Sequence, residues 1–291
     1  MKASKLFVSI LSVVFIAALS LIIVQSAAAD VVISAPTGGD CSTVGTWNAK
    51  TKTCKLTEDI DLSSVIGGDG ITIVSDGITL LCNGHSITGN GAYFSTGILA
   101  TETSGVTIKN CNVQNFYRGI FLNGSNNNTV KNNTANSNYD GIVLQDSDSN
   151  TVKNNTANSN DEAGIGLADS NSNTINDNIA NSNVQFGIFL LFSNSNTVND
   201  NIANANVQFG IFLLFSTSNT VNDNTANSNY EAGIFVLFSS SNTVNDNTAD
   251  NNTGYGYADV PSPAPNIYND NECSGNTSGG SDPTGLCSPQ P

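Results

Sequence analysis

The chain has few basic residues and only one histidine, one methionine and one tryptophan. Nine Lys and Arg stand against 24 Asp and Glu, which gives a formal net charge of −15 at pH 7, and the basic residues form no cluster. A nucleic-acid surface needs a basic patch, so this composition argues against nucleic acid as a partner and disfavours polyanions. Charged residues are only 11% of the chain. Uncharged polar side chains must therefore keep it soluble, which suits a protein outside the cell.

Long hydrophobic runs are absent beyond the first thirty residues. There, Lys2 and Lys5 precede an apolar run over 6–24, and three alanines ending at Ala29 precede Asp30. This pattern predicts a secretory signal peptide at 1–29, cleaved after Ala29, and a secreted, periplasmic or cell-surface protein. The run is also long enough to span a bilayer, so a retained N-terminal membrane anchor is the alternative.

Helix-length patterns are missing from the remainder, which is instead built from a repeat. Glycines recur 22 or 23 residues apart, and after Gly119 nearly every one opens the same phrase. This phrase is Gly-Ile-x-Leu, then a polar turn, then Asn-Thr-Val or Asn-Thr-Ile, and then Asn-x-Asn-Thr-Ala-Asn. These glycines are Gly97, Gly119, Gly141, Gly164, Gly187, Gly210 and Gly233. Such a regular period is the signature of a repeat protein.

Within each unit the apolar residues alternate, as Ile120 and Leu122 do, which is the pattern of a strand with one buried face. A unit this short cannot bury its own apolar face, but stacking units about 4.8 Å apart buries it continuously. The sequence therefore predicts an all-β parallel solenoid with interior columns of aliphatic side chains. The first column is Ile120, Ile142, Ile165, Ile188, Ile211 and Ile234, and the second is Leu122, Leu144, Leu167, Leu190, Leu213 and Val236.

Small and amide residues recur where the coils must turn. We expect the unit glycines to supply a positive φ, and we expect stacked asparagines to hydrogen-bond from coil to coil. One predicted ladder is Asn133, Asn155, Asn178, Asn201, Asn224 and Asn247, and another is Asn136, Asn158, Asn181, Asn204 and Asn227.

The repeats resemble those of right-handed parallel β-helix proteins of the pectin-lyase-like fold, especially the NosD-type periplasmic repeat. Residues 77–90 (GITLLCNGHSITGN) and 107–116 (TIKNCNVQNF) resemble early coils of that group. The resemblance implies N-terminal cap and first strands at 30–69, β-helix repeats at 70–255, and a last coil with a C-terminal cap at 256–291. It does not define an activity, because the fold hosts lyases, hydrolases, epimerases, adhesins and proteins with no known reaction.

Six cysteines in the exported part favour disulfides over metal ligation. Their positions predict three pairs: Cys41 with Cys54 in the N-terminal cap, Cys82 with Cys111 on adjacent coils, and Cys273 with Cys287 in the C-terminal cap. The family name suggests copper, but one histidine and no methionine after the signal leave no soft ligand set. We expect no cofactor, with weak calcium binding as the exception described below.

Candidate catalytic residues are scarce. Polysaccharide hydrolases of this fold carry an adjacent Asp-Asp pair, which is absent here. Arg118 is the sole arginine, with Lys131 and Lys153 as possible companions and with Asp146 and Asp169 in one column beside them. These carboxylates are suited to acid–base work, but they also suit two solvated turns. His85 lies in a Cys-Asn-Gly-His phrase and is interpreted as a packed coil residue.

Two columns on the outside of the predicted solenoid are candidates for binding. Aspartates at one position on four successive coils are a weak calcium candidate, or else a solvated acidic edge: Asp177, Asp200, Asp223 and Asp246. Apolar residues at two outward strand positions form the candidate binding face: Phe189, Phe212, Phe235, Leu191, Leu214 and Leu237. Such a block marks an interface or a platform for sugar rings, unless Phe186 and Phe209 or the C-terminal tail cover it.

The sequence thus favours an exported β-solenoid that binds carbohydrate or another cell-envelope component without catalysis. A polysaccharide-modifying enzyme of the same fold and a structural spacer of the cell envelope are the two alternatives.

Overall fold

The computed structural model describes residues 31–65, 67–260, 262 and 264–288. The predicted signal peptide and its alternative, the N-terminal anchor, lie outside these residues. Within them, none of the helical structure has the length and apolar character needed to cross a membrane.

The chain winds into a right-handed parallel β-helix of about 10 turns, so the predicted fold is confirmed. Its strands form three sheets, and all strand pairs except β2 with β3 are parallel. A one-turn helix, α1 (Cys41–Val44), lies between the first two strands.

Sheet A contains eleven strands in chain order: β1 (Val31–Ile33), β5 (Ile71–Ile73), β8 (Thr96–Thr101), β11 (Arg118–Asn123), β14 (Asp140–Gln145), β16 (Ala163–Ala168), β18 (Phe186–Leu191), β20 (Phe209–Leu214), β22 (Ala232–Leu237), β24 (Tyr255–Val260) and β26 (Gly279–Asp282). Sheet B also contains eleven: β2 (Gly45–Asn48), β3 (Thr53–Leu56), β6 (Thr79–Leu81), β9 (Thr107–Lys109), β12 (Thr129–Lys131), β15 (Thr151–Lys153), β17 (Thr174–Asn176), β19 (Thr197–Asn199), β21 (Thr220–Asn222), β23 (Thr243–Asn245) and β25 (Ile267–Asn269). Sheet C has four: β4 (Ile60–Asp61), β7 (Ser86–Thr88), β10 (Asn112–Gln114) and β13 (Thr134–Ala135).

The interior is filled by the predicted aliphatic columns. Every member of the Ile120 and Leu122 columns is buried, and sheet B adds a third column that includes Val130 and Val152. At about 1.5–3 kcal/mol for each fully buried aliphatic side chain, these columns are the main source of stability.

Stacked polar residues satisfy the backbone at the corners, as predicted. In the Asn133 column, each buried side chain passes a hydrogen bond to the next coil; the Nδ2 of Asn155 donates to the Oδ1 of Asn178 at 3.0 Å. In the Asn136 column, the backbone N–H of Asn158 donates to the Oδ1 of Asn136 at 2.8 Å. The structure adds three further buried ladders, two of asparagine that begin near Asn128 and Asn138 and one of serine that begins near Ser125.

The unit glycines were expected to supply a positive φ, and this prediction is wrong because none of them has one. They are small because the next coil lies close. A Cβ on Gly164 would approach the carbonyl oxygen of Ala157 at 2.7 Å and the Nδ2 of Asn183 at 2.8 Å. The left-handed corner positions are held mainly by Asn, Ser and Asp, such as Asn132 and Asp177.

All three predicted disulfides are confirmed: Cys41–Cys54, Cys82–Cys111 and Cys273–Cys287. Two of them close the segments near the ends of the solenoid, which have little core of their own. Three disulfides are typical of an oxidising compartment.

A second hydrophobic cluster lies on the outer face of sheet A, separate from the interior. It occupies β18, β20 and β22, where all six side chains of each strand are buried. The Phe189, Phe212 and Phe235 rings stack on one another with centroids 5.2–5.3 Å apart. Phe186 and Phe209 pack beside this stack, at 4.7 Å from Phe189 and 5.0 Å from Phe212 respectively.

Candidate functional site

A groove crosses the outer face of sheet A where small side chains replace large ones. In β16 the outward positions are Ala163, Gly166 and Ala168, and the same register in β18 holds Phe186, Phe189 and Leu191. On the other side, β14 presents Val143 and Gln145 opposite Gly166 and Ala168. The floor is therefore one strand wide and has higher walls on both sides. A Cβ added to Gly166 would meet no atom within 4 Å, so the space above it is open.

The only arginine of the chain lies at one end of this groove, beside the first residues of the strands. The guanidinium of Arg118, in β11, lies 4.4 Å from the ring centroid of Phe121 and 5.4 Å from that of Tyr117. These cation–π contacts hold the charge in place. Its Nε is buried and has no hydrogen-bond partner within the described structure.

Two carboxyl groups share this end with Arg118. Asp140, at the start of β14, is directly in register with Arg118, and Glu162 precedes β16. Burial raises the pKa of the Asp140 carboxyl, the charge of Glu162 raises it further, and Arg118 acts in the opposite direction. Burial also raises the pKa of Glu162, against a hydrogen bond from Tyr139 and the charge of Arg118. Both side chains remain partly exposed, so a ligand can reach them.

Aromatic rings form a platform beside the carboxyl groups. Tyr117 and Tyr139 stack with centroids 4.6 Å apart and planes 7° from parallel. Tyr93 and Phe94 pack against Tyr117 at 5.9 and 5.7 Å, and both are exposed. Burial and the charge of Glu162 raise the pKa of the Tyr139 phenol, which therefore stays protonated at neutral pH. The rings, the carboxyl groups and the guanidinium form one continuous surface.

The candidate catalytic residues weighed from the sequence do not all lie together. Lys131 and Lys153 pair with each other on sheet B, whereas Arg118 lies on sheet A. Different sheets carry them because successive strands of one coil lie on different sides of the solenoid. Asp146 and Asp169 do lie together, and burial and the charge of Asp146 raise the pKa of Asp169.

Sequence reasoning missed Asp140, Glu162, Tyr117 and Tyr139. The sequence did contain a clue to Asp140. This residue stands immediately before the unit glycine Gly141, in the position that Arg118 takes before Gly119. The coil before Gly164 is one residue longer, so Glu162 does not align in this way.

His85, interpreted from the sequence as a packed coil residue, is partly exposed. Its Nδ1 lies 3.1 Å from the Oδ1 of Asp59 at the partly exposed surface. A corner turn places the ring outside the strands, where the carboxylate of Asp59 orients it.

The calcium candidates gain no support from the geometry. Asp177, Asp200, Asp223 and Asp246 are exposed, and the first three accept hydrogen bonds from the preceding asparagine side chains. No group of three or more His, Cys, Asp or Glu residues in the described parts of the chain could hold a metal ion.

The candidate binding face differs from the prediction in its exposure. Its six side chains are between 1% and 9% exposed: Phe189, Phe212, Phe235, Leu191, Leu214 and Leu237. They pack against their equivalents on neighbouring coils and against Phe186 and Phe209, which agrees with the alternative of a covered face. A role in recognition stays a prediction for this set, although Phe189 and Leu191 also line the groove.

Two protein-family models match the chain. The model described as the right handed beta helix region matches residues 69–226, more than half of the 291 residues. The model described as periplasmic copper-binding protein (NosD) matches residues 187–281. A search of the curated proteins finds no match.

The residues present do not fit a copper site. Every cysteine is in a disulfide, and the single histidine contacts Asp59. Copper sites use histidine, thiolate or thioether ligands, and the described residues offer no such set.

Several solved structures share the fold. The A-module of the mannuronan C-5 epimerase AlgE6 of Azotobacter vinelandii is 14% identical over 77% of this chain and 68% of that one, with a TM-score of 0.58. A variant of the periplasmic alginate epimerase AlgG is 16% identical over 88% and 80%, with a TM-score of 0.59. The Dettilon tailspike protein is 19% identical over 72% of this chain and 48% of its own, with a TM-score of 0.58. At these identities the similarity concerns the fold alone.

Because the β-helix model matches more than half of the chain and the chain forms the corresponding coils, this protein belongs to the right-handed β-helix family.

Proposed function

We propose that this protein is an exported β-helix that binds a polysaccharide in the groove on sheet A and modifies it by acid–base chemistry. The observation that carries the proposal is the Asp140–Glu162 carboxyl pair beside Arg118, whose Nε has no partner. The predicted signal peptide and the disulfides support export.

The surroundings of the carboxyl pair favour a sugar as the ligand. Sugar rings stack on aromatic faces and bind through hydroxyl groups, which need both donors and acceptors. The Tyr93, Phe94, Tyr117 and Tyr139 platform supplies the aromatic surface. The names of the structurally similar epimerases refer to mannuronan and alginate, which supports a polysaccharide as the ligand but not its charge.

The two carboxyl groups suit proton transfer. Since burial and mutual repulsion raise the pKa of Asp140, this group can carry a proton near neutral pH and act as a general acid. Its neighbour Glu162 can accept a proton, and Arg118 can stabilise negative charge that develops on the glycan. The proposal departs from the non-catalytic function favoured by the sequence, because the sequence did not reveal this pair.

The test combines binding and turnover on one panel of neutral and uronate polysaccharides. Calorimetry measures binding, and NMR with a reducing-end assay measures products. We expect the wild type to form a product and the Asp140→Asn/Glu162→Gln double variant to bind the same glycan while losing at least about 100-fold in rate.

Asp177→Asn is the matched control, because it also replaces aspartate by asparagine, at an exposed corner where earlier coils carry Asn132 and Asn154. It should leave turnover unchanged. Binding without a product would establish the non-catalytic alternative, and absence of both would favour a structural spacer.

A further inference from the structure

The groove on sheet A runs along a strand and thus across the axis of the solenoid. Its floor follows β16, and its walls are β14 and β18, about 9.5 Å apart at their backbones by twice the strand spacing. This width fits one sugar ring between side chains. The six residues of β16 span about 20 Å, which is room for a short oligosaccharide. The groove does not continue along the solenoid axis onto the following coils, because Phe186, Phe189 and Leu191 of β18 block it.

At the far end of the groove, the corner after β18 carries Phe192. Phe192 heads a stack with Phe215 and Phe238, with successive ring centroids 5.1 and 5.3 Å apart. Asp169 holds the same register in the preceding coil, so the aromatic stack ends at Phe192 on the side of the groove. Phe192 is 46% exposed, more than Phe215 at 37% or Phe238 at 40%, as expected for the end of a stack.

The backbone at this corner does not favour phenylalanine. Phe192, Phe215 and Phe238 have φ values of 49°, 50° and 49°, a region that bulky residues rarely adopt. Preceding coils place Asp146 and Asp169 at this position, which suit such a conformation better. Backbone strain of this kind clusters at functional sites, and Phe192 is the member of the stack that lies beside the groove.

Charges around the groove select against anionic ligands. Among the described residues, Arg118 is the only cation that lines it. Asp140 carries a proton in the proposed function, but Glu162 at the near end and Asp146 and Asp169 at the far corner still outnumber this cation. A polyuronate would bring a carboxylate on each sugar into this surface, where like charges repel.

We propose that the groove binds a neutral oligosaccharide across the solenoid axis, with Phe192 as an aromatic subsite at the end opposite the carboxyl pair. This inference rests on the proposed function. A sugar that leaves the groove beyond Ala168 stacks on the outward face of Phe192, while the other end of the oligosaccharide reaches Asp140.

The test compares Phe192→Asn with Phe238→Asn. Both changes remove a stacked, exposed ring from the same left-handed corner, and asparagine accepts that conformation. The probes are cellohexaose, mannohexaose and laminarihexaose, the corresponding disaccharides, and a hexameric oligouronate. We expect Phe192→Asn to weaken binding of a neutral hexasaccharide by about tenfold, with a smaller effect on the disaccharide, and Phe238→Asn to have no effect.

A second variant, Gly166→Phe, gives β16 the residue that β18 carries in register and fills the groove. It should abolish hexasaccharide binding while the protein stays folded by circular dichroism. Two results would contradict the proposed course of the oligosaccharide along the groove to Phe192. One is an equal effect of the Phe192 and Phe238 substitutions on binding, and the other is unchanged binding by Gly166→Phe. Preference for the oligouronate would overturn the neutral ligand class. Absence of binding to any glycan by the wild type would instead overturn the proposed function.

Discussion

Arg118 interacts both with aromatic rings and with carboxyl groups at the surface of the solenoid. Its guanidinium lies against two aromatic rings, which limits its movement, and it opposes the rise in the pKa of both Asp140 and Glu162. Loss of this arginine would therefore change the protonation of the carboxyl pair and, under the proposed function, the position of the bound glycan.

At the residue scale, we predict a pH-dependent stability difference between the wild type and Asp140→Asn. The folded state raises the pKa of Asp140 above its unfolded value, so the native protein binds more protons between about pH 4 and pH 8. Stability from this group is therefore present at low pH and lost as pH rises through that window. Since asparagine does not titrate, the variant should gain stability relative to the wild type as pH increases.

Melting temperatures measured from pH 4 to pH 8 check this prediction, with Asp177→Asn as the control for removing one exposed charge. Arg118, Glu162, Tyr117 and Tyr139 face the Asp140 carboxyl. A Glu162→Gln background should reduce the trend, because it removes the repulsion. A difference that stays constant with pH would show that the folded state does not perturb Asp140.

At the element scale, strand β16 contains a matched pair of glycines. Gly164 has the carbonyl oxygens of Ala157 and Gly187 at 2.7 and 2.8 Å from the position of an added Cβ, whereas Gly166 has no atom within 4 Å. Gly164→Ala should destabilise the protein by about 1–3 kcal/mol through overpacking. Gly166→Ala should be neutral or stabilise by up to about 1 kcal/mol, because it restricts the unfolded chain. Urea unfolding of both variants measures this contrast, and equal effects would contradict it.

The second prediction at the element scale concerns the stability that the outer cluster on β18, β20 and β22 contributes. Phe212 and Leu214 are each about 1% exposed, so Phe212→Ser with Leu214→Ser should cost about 5 kcal/mol or more in the free energy of unfolding. Val207→Ser, at an exposed position of the same coil, is the control and should cost little. An unchanged unfolding midpoint in the double variant would show that these side chains face solvent, and would restore the exposed binding face expected from the sequence.

At the scale of the whole molecule, the coils behave as a stack in which each contacts its neighbours. Residues 184–186 and 207–209 have the same sequence, so deletion of 187–209 removes one complete coil and leaves every register intact. We expect a folded protein with strand content reduced in proportion, a modest fall in melting temperature and an intact groove. Circular dichroism and calorimetry measure these quantities. Deletion of 187–205 breaks the register and should prevent folding, so similar behaviour of the two deletions would contradict the prediction.

Much of this architecture follows from the sequence alone. The repeat period places equivalent residues one coil apart, so alternation within a unit identifies the buried columns, and the same register brings Cys82 to Cys111. The asparagine ladders follow for the same reason. These features depend on periodicity along the chain, which the sequence shows directly.

The tertiary structure decided what happens on the outside of the coils. Outward side chains lack the constraint of a common core, so their burial depends on neighbouring residues of other coils and on how the rings pack. For this reason the apolar side chains of β18, β20 and β22 are buried against one another. For the same reason Arg118 lies near Asp140 and Glu162, and not near Lys131 and Lys153. The unit glycines likewise avoid a steric clash between coils, which no pattern within one repeat reveals. Sequence thus determined the register of the solenoid, and only the packing between coils determined which outward side chains come together.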